Sequence, residues 1–276
     1  MRRRLFDDTR ARVGLGVIAV VILTAILAPL VAPYDPVRQL DIQHLQGLAP
    51  SLHHPFGTDQ FSRDVLSRLI FGTRVSLTIA LVAVLLATTL GTAIGITAGY
   101  FGGAVDALLM RMVDAAFSIP TILLLIVVIA LWGQVSPVAL AVLIGGVGWL
   151  GISRLVRAET LVVRNADYVL AAQALGVSTA RILRREVLPN VIGPVLVAAT
   201  LSIADVILLE AGLSFLGIGV SEPTASWGSI IQDGSSRVAD LWWLTVFPGL
   251  AILITVFACN SLGDAVRDAM DPRIEG

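Results

Sequence analysis

The chain has 276 residues, of which 56% are hydrophobic and only 14% charged, with a formal net charge of −1 and a mean hydropathy of +0.87. A soluble domain carries about 25% charged residues, so this chain has too few charges to cover a soluble fold of its length, and the composition specifies a polytopic membrane protein. Every basic residue is arginine, which excludes a phosphate-binding loop of the G-x-x-x-x-G-K-[ST] type: its lysine is missing, so any nucleotide energy must enter through another chain.

Arg2, Arg3, Arg4, Arg10 and Arg12 precede an apolar run from Val13 to about Ala32. A basic start with an apolar centre is also the pattern of a signal peptide. The run is about twenty residues, however, enough to cross a roughly 30 Å hydrocarbon core at about 1.5 Å per residue. Ala28 and Ala32 are each followed by proline, a poor context for cleavage. The reading is an uncleaved first span.

Residues 33–73 form the longest polar stretch, punctuated by Pro33, Pro36, Pro50 and Pro55. A short helix is predicted over Gln60–Phe71 with Asp59 as its N-cap. His53-His54 has no third ligand nearby and reads as loop; no metal site is expected. The second span is predicted over Val75–Ala98. Its small residues, among them Gly91-x-x-x-Gly95, allow close helix approach in lipid. A turn at Tyr100–Gly103 leads to a third span over Ala104–Trp132, with Asp106, Arg111 and Asp114 in its first turns.

The fourth span covers about Val138–Leu155. The fifth runs from about Val191 to Leu216, with Pro194 in its first turn, where a missing N–H costs least. Asp205 and Glu210 lie within it. Carboxylates in mid-bilayer are functional candidates by default, so both are candidates for a pathway or gating role; the competing reading is that a protein interface or a watery cavity merely satisfies them. Residues 217–240 form a second polar loop. The last span, about Leu241–Leu262, opens on Trp242-Trp243, suited to a membrane interface, and contains Pro248. Cys259, the single cysteine, rules out an intrachain disulfide and reads as a small buried hydrophobe.

Six spans put both termini on one side. With the N-terminus inside, the inner arginines are Arg2, Arg3, Arg4, Arg10, Arg12, Arg111, Arg154, Arg157, Arg164, Arg181, Arg184, Arg185, Arg267 and Arg273. Only Arg38, Arg63, Arg68, Arg74 and Arg237 fall outside. The positive-inside rule then predicts that both termini are cytoplasmic.

That orientation also places Asp167–Pro189 in the cytoplasm. Asp167 is predicted to cap a helix starting at Tyr168, in which Tyr168, Ala171, Ala172 and Leu175 fall on one face at i, i+3, i+4 and i+7. Gly176 suits a left-handed stop. Ser178 is then predicted to cap a second helix from Thr179 to about Leu188, ending at Pro189, with Arg181, Arg184 and Arg185 on one side. The pattern is helix, glycine elbow, helix. It fits a surface for a partner or a loop lying on lipid headgroups with arginines toward phosphates.

Ala171-Ala172, Gly176 and Leu188-Pro189 resemble the EAA loop of binding-protein-dependent ABC transporter permeases. Leu170 stands where that family's motif has its glutamate. Two further stretches resemble the C-type permease of the dipeptide, oligopeptide and nickel branch. One is His54-Pro55-Phe56-Gly57-Thr58-Asp59, continuing through Arg63-Asp64-Val65-Leu66-Ser67-Arg68 to Gly72-Thr73-Arg74. The other is Leu209-Glu210-Ala211-Gly212-Leu213-Ser214-Phe215-Leu216-Gly217, continuing to Pro223 and Ser226-Trp227-Gly228.

The resemblance implies an all-α type I importer fold forming a single transmembrane permease domain over 1–276. Residues 1–74 would be the first span and an extracytoplasmic loop, 75–264 a five-helix core, and 158–190 the cytoplasmic coupling loop. It implies no catalysis and no cofactor on this chain, with ATP and Mg bound by partners: two ATPase subunits, besides a second homologous permease and an extracytoplasmic substrate-binding protein. Membrane lipid surrounds the chain and nucleic acid is not a partner. Asp167, Tyr168, Ala171, Ala172, Leu175 and Gly176 would form the ATPase-coupling element. The loops 33–73 and 217–240 would meet the binding protein. The expected cargo is di- or oligopeptide, with nickel, haem or another small solute as alternatives. An ion-coupled secondary transporter using Asp205 or Glu210 is the alternative of another class.

Overall fold

The apolar runs fold as helices, and no strand forms among residues 9–270, the part of the chain described by this computed structural model. Arg2, Arg3, Arg4 and Arg273 of the charge count lie outside the described residues. Helix α1 (Thr9–Ile26) is followed by a single turn, α2 (Ala28–Val31), with Pro29 in its first positions. The polar loop then contains one short helix, α3 (Ile42–Leu45), capped by the Asp41 side chain, which accepts from the N–H of Gln43.

Helix α4 (Val65–Phe101) is 37 residues long. The short helix predicted over 60–71 and the separate span from Val75 are one element, and the boundary drawn at 74 falls inside it. Asp59 is not its cap. Ser62 has φ of 60°, a left-handed conformation through which no right-handed helix passes. The helix therefore begins after it, with Asp64 as N-cap accepting from the N–H of Ser67 at 2.8 Å.

The predicted third span is broken. Helices α5 (Gly103–Phe117) and α6 (Thr121–Trp132) meet at 76° across Ser118–Pro120. Proline disfavours helical geometry at the residue before it, which ends α5 short of Pro120. At about 1.5 Å per residue, α6 alone reaches only about 18 Å, less than a hydrocarbon core. Five other helical stretches are long and apolar enough to cross a membrane, and the bent pair makes the sixth crossing only when taken as one.

Helix α7 (Pro137–Arg164) extends nine residues past the predicted end of its span. Helices α8 (Asp167–Ala174) and α9 (Thr179–Ile182) follow. A π turn over Leu183–Val187 then joins α9 to α10 (Leu188–Phe215). Pro189 therefore does not end a helix. It lacks an N–H, and the wide turn before it, in which Leu188 N–H donates to the Leu183 carbonyl, lets the helix pass through. Because α10 starts at Leu188, Pro194 lies inside the helix rather than at the start. Helix α11 (Trp227–Gly234), a 3-10 turn and α12 (Trp243–Met270) complete the chain.

Helix α4 is the centre of the bundle, packed on α7, α10, α1, α5 and α11. Its seam with α7 is built on bare backbone. A Cβ at Gly95 would sit 2.6 Å from the Ser153 carbonyl oxygen, and one at Gly91 or Gly99 2.7 Å from side-chain carbon of Ile152 or Thr160. Gly145 does the same from the α7 side, 2.6 Å from the Ala83 carbonyl. This is close approach by small residues, which drives association where lipid offers no hydrophobic contrast. Apolar clusters fill the bundle, among them Ile79, Leu125, Leu140, Ile144 and Leu213 toward the end that carries α11, and Val156, Val169, Ile182, Val187 and Val191 toward the end that carries α8.

Candidate functional site

The segment between α7 and α10 folds as helix, elbow, helix. Asp167 is the first residue of α8; the N-cap is Ala166, and no side chain caps it. Val169 is buried and Ala172 half-buried, both packed into the cluster with Val156, Ile182 and Val187. The elbow is a Schellman stop. Val177 N–H donates to the Ala172 carbonyl at 3.1 Å and Gly176 N–H to that of Gln173 at 3.0 Å. The accompanying apolar contact is present too, because Ala172 and Val177 share that cluster. Gly176 has φ of +75° with open space around it. Backbone conformation, not crowding, demands glycine there.

The predicted face is therefore divided. Asp167, Tyr168, Ala171, Leu175 and Gly176 point outward and are exposed, Leu175 to 83%, together with Leu170. Ala172 turns partly into the fold. Val169, missed in the sequence, is the residue that anchors α8; its i, i+3 spacing with Ala172, on the flank of the helix about 100° from Tyr168, is the signal that would have found it. On the same end, Asp106 on α5 pairs with Arg157 on α7, with one contact at 2.6 Å, and Arg154 pairs with Asp114 at 2.5 Å while stacking on Phe117. These contacts hold the charged first turns of the broken span against α7.

At the opposite end the two other resemblance stretches meet. Asp59 accepts from the N–H groups of Phe61 and Arg63 at 2.8 and 2.9 Å and from Arg63 Nε at 2.6 Å, and it pairs with Arg68. Arg68 also reaches Asp233 on α11 at 2.7 Å, and Arg63 reaches Glu222 at 3.2 Å. Burial pushes the Asp233 carboxyl above the usual range, against the pull of Arg68 and Arg63. Arg63 is held above the ordinary guanidinium value because Asp59, Asp233 and Glu222 outweigh its burial. His54 Nδ1 lies 2.9 Å from Asp64, whose other oxygen accepts from Ser67 Oγ. His54 is thus a buried partner of a helix cap, and among the described residues no cluster of metal-ligating side chains includes it or His53. Trp243 Nε1 donates to the Thr58 carbonyl at 3.0 Å. Arg68, Glu222, Asp233, Gln134 and Gln232 line a cavity of about 330 Å³ beside this network. Sequence reasoning missed the exposed Glu222 and the nearly buried Asp233; acidic partners were implied by Arg63 and Arg68 lying in a chain so poor in charge.

The two carboxylates of α10 part company. Glu210 is fully buried and accepts from Ser76 Oγ on α4 at 3.1 Å and Ser214 Oγ at 2.7 Å. Ser76 Oγ in turn accepts from Trp227 N–H, so one side chain pins α4, α10 and α11 together. The crossing is tight: a Cβ at Gly228 would lie 2.5 Å from the Ala211 carbonyl. Asp205 is exposed and has no side-chain partner among the described residues.

Residues 91–276 match the model of the binding-protein-dependent transport system inner membrane component, and residues 1–51 that of the N-terminal transmembrane domain of oligopeptide transport permease C. The chain is 37% identical to the dipeptide transport system permease protein DppC of Bacillus subtilis, over 99% of this chain and 84% of that one. It is 40% identical to the oligopeptide transport system permease protein OppC of Escherichia coli, over 99% and 90%. Among solved structures, an inward-facing form of the MetNI methionine ABC transporter shares the fold, with a TM-score of 0.57 at 18% identity over 73% of this chain and 97% of that one. With a family model covering most of its length and such relatives along nearly all of it, the chain belongs to the inner membrane components of binding-protein-dependent transport systems: it is a multi-pass permease subunit of the ABC transporter kind, whose ATPase is a separate subunit.

Proposed function

We propose that this permease forms half of the translocation pathway of an ATP-driven importer of di- and oligopeptides. Its relatives of 37–40% identity carry dipeptide and oligopeptide transport in their names, which supports the cargo. In this reading both termini and α8 are cytoplasmic, ATP and Mg stay with two ATPase subunits, and a second, similar permease completes the pathway. A binding protein delivers cargo to the loops at 33–73 and 217–240.

The single observation that carries the coupling role is the exposed outer face of α8. Tyr168, Ala171 and Leu175 stand clear of the fold on a helix whose inner side, Val169 and Ala172, is fastened to the bundle. A helix so mounted transmits a push from a docked partner into α7 and α10. Asp205 has a different place. An unpaired carboxylate at mid-span is costly against lipid, so its face of α10 is assigned to the pathway or to the second permease. Glu210, buried and satisfied, is assigned to packing.

The test is uptake of a labelled dipeptide into vesicles holding the reconstituted complex, with and without ATP and with the ion gradient collapsed. ATP-dependent uptake indifferent to the gradient is expected. Uptake that persists without ATPase subunits and collapses in Asp205→Asn would instead identify an ion-coupled carrier.

A further inference from the structure

Three arginines beside the elbow have no partner. Arg181, Arg184 and Arg185 are exposed, and among the described residues no side-chain hydrogen bond or ion pair engages them. With Ala180 they line one concavity of about 330 Å³. Arg154 and Arg157 at this end are paired, with Asp114 and Asp106, whereas Arg181, Arg184 and Arg185 share one concavity with no acid lining it. The only acid between Thr179 and Val187 is Glu186, which is half-buried, so the exposed surface there is strongly positive.

The patch has a definite place in the fold. Arg184 and Arg185 lie on the π turn directly before α10, a feature often found at functional sites. Continuing from Arg184 in steps of four, Leu188, Ile192 and Leu196 are all exposed, at 37%, 43% and 46%. From Leu188 to Leu196 the helix rises about 12 Å, close to the depth of one leaflet's hydrocarbon. A basic concavity thus leads directly into an apolar stripe along the start of a membrane-crossing helix.

We propose that this surface binds an anionic phospholipid. The headgroup phosphate sits among Arg181, Arg184 and Arg185, whose planar forks suit phosphate oxygens. The acyl chains lie along Leu188, Ile192 and Leu196. Basic pockets beside transmembrane helices are known to take such headgroups. A soluble phosphate would use only the arginines, and an acidic protein surface would leave the stripe unused; a phospholipid matches both halves. The site lies on the link between α8 and α10, so the bound lipid braces the element that joins elbow to span.

The full transporter complex is purified from membranes and its retained lipid measured by native mass spectrometry. The complex is then titrated in nanodiscs with phosphatidylglycerol in a phosphatidylcholine background. Wild type is expected to retain phosphatidylglycerol. The triple variant Arg181→Gln, Arg184→Gln, Arg185→Gln is expected to bind it on the order of 100-fold more weakly, at about fivefold per arginine. Arginine-to-lysine replacements should recover most of the loss. Ile192→Asn should weaken retention with the arginines intact. All three arginines are exposed, so the variants keep the fold, and an unchanged complement of ATPase subunits verifies it. Equal retention by wild type and the triple glutamine variant would overturn the proposal. Displacement of the lipid by millimolar inorganic phosphate would reduce the site to a simple anion site and overturn it equally. Loss of ATPase subunits from the triple variant with lipid retention unchanged would assign the patch to protein docking instead. The readout does not depend on cargo, so failure of the peptide reading leaves it standing.

Discussion

The sharpest test of the coupling element is Leu175→Asp. Leu175 ends α8 with 83% of its surface exposed, so nothing in the chain's own fold rests on it. A surface substitution of that kind moves stability by no more than about 0.5 kcal/mol. Seated in a partner's groove, a leucine side chain contributes about 1.5–3 kcal/mol through burial. Its loss alone weakens docking by roughly 10- to 100-fold, and a carboxylate without a partner in the same groove adds a desolvation cost. The expected result is normal insertion, an unchanged melting temperature, and loss of the ATPase subunits on purification together with ATP-dependent uptake. Ala172→Asp is a poorer probe. Ala172 packs with Val169, Val177 and Val187, so a carboxylate there disturbs the elbow itself and confounds misfolding with lost docking. A Leu175→Asp transporter that keeps its ATPase subunits and takes up cargo at the wild-type rate would refute the assignment of this face.

Gly176→Ala forces a side chain into the left-handed region with no steric clash, and should cost about 1 kcal/mol, read as a lowered melting temperature with the complex still assembled. Gly95→Val places a Cβ within 2.6 Å of the Ser153 carbonyl; overpacking at the α4–α7 seam should cost about 1–3 kcal/mol in detergent unfolding. Gly151→Ala, on α7 with open space around it, is the matched control and should leave stability unchanged or slightly raised. Asp59→Ala strips Arg63 and Arg68 of a shared buried partner and should cost about 3–5 kcal/mol, seen as poor yield of folded protein. Glu210→Ala should separate α4 from α11 and lower the melting temperature, whereas Glu210→Gln, which keeps the shape and can accept from one serine through Oε1 while Nε2 donates to the oxygen of the other, should lose much less.

The sequence by itself determined the class of protein. Long apolar runs with few charges specify membrane helices, and the absence of lysine removes a phosphate-binding loop of the G-x-x-x-x-G-K-[ST] type from this chain. Periodicity and the glycine spacing determined the elbow, since a left-handed stop is a local property of Gly176 and its neighbours. The resemblance of three short stretches identified the family, because their order along the chain is itself sequence. Tertiary structure decided what local rules cannot see. Ser62, not Asp59, sets where α4 begins, because a single left-handed residue there interrupts the helix. Pro189 does not end a helix, because a π turn absorbs its missing N–H. Asp205 and Glu210 looked equivalent in sequence, five residues apart in one apolar run; which face of α10 meets Ser76 on α4 and the start of α11 separates them. The same holds for α8: spacing placed Tyr168, Ala171, Ala172 and Leu175 together, but only the packing of Val169 against α7 and the elbow shows that Ala172 turns inward and that Tyr168, Ala171 and Leu175 remain free. Burial depends on what the rest of the chain brings alongside, and no local pattern contains that information.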